Sequence, residues 1–191
     1  MAKIRLCLAL AALLGALACT SSVAGTPHLA AAQGGCTGGT IIEPKGGPYC
    51  YTAPTGFKQS QAQLGGAQYT TGVILDKNNL IIAGVFPAPT DLDKLSDSEL
   101  TKAVDELIGK QDSASFRLSS NTGKLSKPPA GRAIEYQATT DGSPPIHVDL
   151  YIVSKGHTKV QLNCQSTNQQ QKVQAACAQV LQSLRITSTG N

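Results

Sequence analysis

Residues 131–165, GRAIEYQATTDGSPPIHVDLYIVSKGHTKVQLNCQ, decide the fold. Three segments, 132–139, 146–153 and 158–165, alternate apolar with polar positions and are rich in β-branched and aromatic residues, the pattern of half-buried strands. Between them TDGSPP and SKGH carry turn chemistry, because Gly reaches left-handed backbone and Pro cannot continue a ladder. The stretch predicts an antiparallel meander. A three-residue connection Lys155-Gly156-His157 would pair Val148 with Cys164, Leu150 with Leu162 and Ile152 with Val160, making one apolar face. Slipping so that Asp149 met Leu162 would spoil that face.

Upstream, YTTGVIL (69–75) and LIIAGVF (80–86), separated by DKNN, read as a hairpin, and PAPT stops the second strand. A helix follows. Ser96 with Glu99 forms a capping box, Leu95 with Leu100 a hydrophobic staple, and Gly109 stands where a C-cap belongs. Leu100, Ala103, Val104, Leu107 and Ile108 make one apolar stripe, and Asp97, Lys102, Asp105 and Glu106 a solvated face. FRLSS and a loop containing Pro128-Pro129 then lead to the meander. Downstream, Val173, Ala176, Cys177, Val180, Leu181 and Leu184 mark a second helix from about Asn168 to Leu184. Strand hairpins with helices laid on them describe an α+β sandwich of the α/β/α type, an antiparallel sheet packed with two main helices. No alternating β-α-β run supplies a nucleotide crevice.

The N-terminus carries an export signal. Lys3 and Arg5 precede a 13-residue apolar segment, Leu6 to Ala18, too short to span a bilayer as a helix of about 20 residues. GALAC, ending on Cys19, resembles a bacterial lipobox, with Ala16 where Leu, Val or Ile is usual. Residues 1–18 are thus expected to be a signal peptide and Cys19 the acylated first residue of a lipoprotein. Cleavage after Ala24 or Ala32, releasing a soluble secreted chain, is the alternative. Two or more acyl chains hold a protein stably at a membrane, where one holds marginally. Residues 19–35 contain no charged side chain and are rich in Ala, Gly and Ser, the composition of a flexible tether.

Residues 36–191 then form one domain, long enough to bury about 70% of its unfolded surface. Its first part, CTGGTIIEPKGGPYC (36–50), is dominated by Gly and Pro and reads as a disulfide-closed lasso rather than a strand. Lipidation or removal of Cys19 leaves Cys36, Cys50, Cys164 and Cys177. Four cysteines allow three connectivities, and proximity favours 36–50 with 164–177, each closing a loop worth about 3 kcal/mol. Losing Lys3 and Arg5 takes the 16 basic residues to 14 against 12 acidic ones, a net charge of +2. That is no electrostatic footprint for nucleic acid.

Taken together, YTAPTGFKQ, TTGVILDKNNLIIAGVF leading into LTKAVDELIGKQ, the 131–164 meander and the closing CAQVLQSLRI resemble the PsbP/Mog1/DcrB-like superfamily, in particular its exported bacterial lipoproteins, over roughly residues 50–187. The resemblance implies a non-enzymatic docking or assembly protein with no shared catalytic residues.

The residues themselves carry no catalytic motif. His147, Asp149 and Tyr151 share one face of a strand. A His beside a carboxylate could serve as a general base, but the residues expected opposite are Gln165, Asn163 and Gln161, so the face is simply polar and reads as a solvated sheet face, with a contact surface for a ligand or partner as the alternative. Three histidines, with no C-x-x-C or H-x-x-x-H spacing, suggest no metal, and no cofactor motif appears. No G-x-S-x-G marks a serine hydrolase. The expected function is a lipid-anchored extracytoplasmic binding or assembly module at the outer face of the cell membrane, with an unidentified protein partner and no catalysis. The rivals are a small-molecule or lipid carrier with a pocket between sheet and helix, and a hydrolase built on His147 and Asp149.

Overall fold

The computed structural model describes residues 35–110 and 115–187. The expected signal peptide, Cys19 and the expected tether up to residue 34 lie outside the described residues. In chain order the strands and helices are β1 (Ile41–Ile42), β2 (Tyr49–Thr52), β3 (Lys58–Ser60), β4 (Thr70–Asp76), β5 (Asn79–Pro87), α1 (Asp97–Gly109), β6 (Phe116–Leu118), β7 (Lys124–Ser126), β8 (Arg132–Thr140), β9 (Ile146–Lys155), β10 (Thr158–Ser166), α2 (Gln170–Ser183) and β11 (Arg185–Ile186). Eight strands form an antiparallel sheet of order β3-β4-β5-β10-β9-β8-β6, with β7 also on β8, and β1-β2-β11 form a small second sheet. The expected α+β architecture is present. The β4–β5 hairpin and the β8–β9–β10 meander are two blocks zipped together where β10 pairs with β5.

The meander's register differs from expectation by one residue. Lys155 pairs with Thr158 across a two-residue Gly156-His157 turn, so Asp149 faces Cys164, Tyr151 faces Leu162 and Val153 faces Val160. Gly156 has φ 55°, the left-handed first position that lets a tight turn follow the strands' twist. The expectation assumed a single covered face. This sheet is covered on both sides along β10, so putting Gln161, Asn163 and Gln165 opposite Ile152, Leu150 and Val148 forces no apolar residue into water.

On one side lies α2. Its residues Val173, Ala176, Cys177, Val180 and Leu181, followed by Leu184, are buried against Val73, Ile81, Ala83, Val153, Val160 and Leu162 of the sheet. Each such side chain contributes about 1.5–3 kcal/mol. Cys164–Cys177 clips this helix to β10, and Cys36–Cys50 closes the N-terminal loop, with Cα–Cα distances of 6.1 and 5.9 Å. That loop is more than a lasso: against expectation it contains strand β1 and the first residues of β2, and the two strands pair. Ile42, Tyr49 and Tyr51 are fully buried, and the Tyr49 hydroxyl donates to the Ala83 carbonyl at 2.9 Å and meets Thr71 Oγ1 at 2.8 Å. Two tyrosines with internal polar partners pack where few aliphatics are available. Burial pushes the Tyr51 hydroxyl up to about 12.

On the other side α1 covers β8 and β9. The Ser96 capping box forms as expected, while Lys110 rather than Gly109 caps the C-terminus. Only Leu100, Val104 and Ile108 of the stripe are buried; Ala103 is exposed and Leu107 is 42% exposed. Part of the expected solvated face is instead clamped. Asp105 Oδ1 accepts from the Tyr136 hydroxyl at 2.5 Å and from the Gly123 amide at 2.9 Å. Asp97 pairs with Lys127 at 2.8 Å and Arg132 at 3.2 Å, and Arg132 also donates to the carbonyls of Leu92 and Leu95. Three apolar anchors held by polar clamps thus replace the broad apolar seam that the spacing suggested.

Candidate functional site

The sheet is covered on both sides at β10, but on the α2 side the layer stops short. The core under α2 and the small sheet spans β4, β5 and β10 and reaches Ala133 and Val153 at one end of β8 and β9. The rest of that half-face carries polar side chains. On β8, period-2 alternation sends Ile134, Tyr136 and Ala138 to the core under α1, and Glu135, Gln137 and Thr139 to the opposite side. On β9 the same parity sends Val148, Leu150 and Ile152 to α1, and His147, Asp149 and Tyr151 out beside the β8 trio. The ladder makes these direct cross-strand neighbours: Glu135 with Tyr151, Gln137 with Asp149, Thr139 with His147.

The patch is knit together internally. Tyr151 donates its hydroxyl to Glu135 Oε1 at 3.3 Å, and its ring leans on the core beneath α2. Burial first, and then the carboxylates of Glu135 and Asp149, hold the Tyr151 hydroxyl above its ordinary pKa, so it stays a neutral donor. Asp149 is only 7% exposed, walled by its strand neighbours and by α2, whose Gln174 Nε2 stands 3.5 Å from Asp149 Oδ1. Gln137 is open to solvent, and His147, Thr139, Glu135 and Tyr151 are half-buried.

The three residues singled out from the sequence are therefore side by side, with different neighbours from those expected. Gln161, Asn163 and Gln165 lie on the opposite side of the sheet, and Leu162, Cys164 and Ser166 stand across from Tyr151, Asp149 and His147 on β10. Glu135, Gln137, Thr139 and Gln174 escaped sequence reasoning. The signal for the β8 trio was their own alternation, but the five-residue connection between β8 and β9 hides the register that brings them to His147, Asp149 and Tyr151.

As chemistry, the patch offers donors, acceptors and one aromatic ring. Two hydroxyls stand across from His147 in the ladder, half-buried Thr139 on β8 and buried Ser166 on β10, and no side-chain hydrogen bond joins His147 to either of them or to Asp149 among the described residues. Among the described residues no group of three or more His, Cys, Asp or Glu side chains could hold a metal ion. No described helix is long and apolar enough to cross a membrane.

No family model matches the chain, and no curated protein matches it. Solved structures do. CyanoP, the cyanobacterial PsbP of Synechocystis sp. PCC 6803, matches with a TM-score of 0.53 over 77% of this chain and 91% of its own, at 10% identity. The fold is PsbP/Mog1-like. The PsbP/Mog1-like fold is shared with LpqN of Mycobacterium tuberculosis, at a TM-score of 0.50 and 10% identity over 78% of this chain and 86% of LpqN. A Bacteroides thetaiotaomicron protein matches with a TM-score of 0.54 and 10% identity over 80% of this chain; the chain spans half the length of that protein. At such identities the likeness is one of fold, and no functional residue is carried across.

Proposed function

We propose that this chain is a non-catalytic binding and assembly module working outside the cytoplasm, held at the outer face of the cell membrane by acyl chains on Cys19. Its docking face for a protein partner is the polar half-sheet of Glu135, Gln137, Thr139, His147, Asp149 and Tyr151. The observation that carries this reading is that half-sheet itself: an aromatic side chain and two carboxylates drawn together on rigid strands, beside a helix that covers only the neighbouring strands. A tyrosine seated on the core with its hydroxyl already oriented loses little entropy on binding, the property of an interface anchor. Two disulfides fit an oxidising compartment. LpqN, which shares the fold, is involved in cell envelope biogenesis, and a role at an envelope fits the leader and tether read from this sequence.

The test is site-specific photo-crosslinking of the full chain in intact cells. A photoreactive residue at Gln137 should capture one defined protein, and the same residue at Glu106, on the outer side of α1, should capture none. Equal yields from both positions, or adducts with lipid alone, would remove the docking face from the proposal.

A further inference from the structure

At the β3 margin, the far end of the sheet from β8, a groove of about 750 Å³ opens between the N-terminal loop at Glu43–Lys45 and the segment 59–68. Local backbone builds it. The β3–β4 ladder ends at Ser60↔Gly72 while β4 continues to Thr70, so Thr70 and Thr71, paired with β5 on one side, have no β3 partner on the other and line the groove. The segment after β3 crosses the sheet, turns at Gly65-Gly66 with Gly66 at φ 78°, and closes with the Ala67 amide donating to the Leu64 carbonyl at 3.2 Å. It rests on two residues that have no side chain. A Cβ on Gly84 would come within 2.7 Å of Ala67 Cβ, and one on Gly72 within 2.8 Å of Ser60 Oγ. That close seat fixes the groove's wall to the sheet.

The lining chemistry is specific in kind. Gln59, Gln61, Gln63 and Gln68 place four exposed amides around it, each with two N–H donors and an acceptor, joined by the hydroxyls of Ser60 and Thr70. One acid, Glu43, and one base, Lys45, offset each other. An anionic ligand such as a phosphate would call for clustered cations. A protein partner would call for an aromatic or aliphatic centre, and an apolar molecule for apolar walls. The groove has no cluster of cations and no aromatic side chain, and its apolar members, Pro44, Ala62, Leu64 and Ala67, are buried or half-buried between the exposed amides. A ligand dense in neutral hydroxyls satisfies what it does offer, because every hydroxyl both donates and accepts. The volume lies within the roughly 300–1,000 Å³ of ordinary ligand sites.

We infer that this groove binds a short neutral oligosaccharide. The site is separate from the β8–β9 face and does not rest on it. Full-length protein in lipid nanodiscs, titrated with cello-, chito-, malto- and mannotriose and followed by ligand-observed NMR, should bind at least one of them. Gln61→Ala/Gln63→Ala, two exposed positions whose truncation leaves the melting temperature unchanged, should weaken that binding at least tenfold, while Gln137→Ala should leave it as it is. The inference is overturned if none of the four sugars binds, or if the double variant binds as well as the parent. It is equally overturned if the groove takes only anionic sugars or peptides.

Discussion

The two faces of the β8–β9 hairpin are made from alternate residues of the same twenty-odd positions, and they have opposite fates. Even-numbered Ile134, Tyr136, Ala138, Val148, Leu150 and Ile152 are closed under α1, while odd-numbered Glu135, Gln137, Thr139, His147, Asp149 and Tyr151 stay polar and at least partly reachable, Asp149 least. With the odd face as the proposed docking surface, the difference would separate stability from recognition by parity alone. A strand that donates one face to a core has its backbone immobilised at no cost to the other face, so the outward side chains are presented on a scaffold that binding need not order. The β3-margin groove works by the same logic with a different device: glycines in the sheet let a polar segment seat closely.

The largest effect should come from the even face. Leu150→Ala removes a fully buried side chain between Tyr136 and the polar column of β10, and should cost about 2–5 kcal/mol of stability in urea unfolding, with no selective loss of partner capture in the fraction that remains folded. A cost below about 1 kcal/mol would mean that α1 does not seal this face.

A smaller effect should appear on acidification, through the polar clamp that holds α1 over the even face. Hydrogen bonds from Lys127 and Arg132 hold the Asp97 carboxyl below its ordinary value of 3.8. A depressed folded pKa means that the clamp's contribution is complete above that ordinary value and disappears as pH falls through the lower, folded one. Comparing melting temperature against pH for the parent and Asp97→Asn isolates it, since Asp76 and Glu99, also held low by their own hydrogen-bond donors, contribute equally to both. The parent's advantage should be constant from pH 7 to 5 and shrink as the pH is taken down below 3.8. An advantage that grew as pH fell would contradict the pairing.

The order of the main elements was legible in the sequence because it rests on local signals: the capping box of Ser96 and Glu99, the period-2 runs of the meander and the spacing of Val173 to Leu184 were each readable within a dozen residues, whereas the short strands β1, β2, β3, β7 and β11 carry too few residues to show a period. What failed depended on which faces were covered. Pattern alone paired Leu150 with Leu162 because it assumed that apolar residues must share a face, whereas a sheet covered on both sides leaves Leu150 opposite Asn163. Likewise Ile42 and Tyr49 looked too sparse for a core until the 36–50 loop was seen lying against Thr71 and Ala83. Of the proposed docking face, His147, Asp149 and Tyr151 were visible as one strand face, and their β8 neighbours were not, because a five-residue connection does not determine register.

The smallest effect on stability should carry the largest effect on recognition. Gln137 is exposed, stands across the ladder from Asp149 and lies two residues from Glu135 on the same face. Gln137→Arg therefore fits without displacing anything, and should leave stability within about 0.5 kcal/mol of the parent. Its guanidinium can reach the carboxylates of both Asp149 and Glu135, so it would occupy with an internal ion pair the acceptors that a partner must engage. Capture of the partner should then fall at least tenfold in a pull-down from solubilised membranes. Ala138 is the next residue and points the other way, buried beside Val148. Ala138→Leu overfills that core at a cost of about 1–3 kcal/mol while leaving the acceptors on the far face untouched. Adjacent substitutions thus have opposite signatures, one losing the partner and keeping the fold, the other losing stability and keeping the partner. If both variants lost the two properties together, parity would not separate them and β8–β9 would be scaffold on both sides.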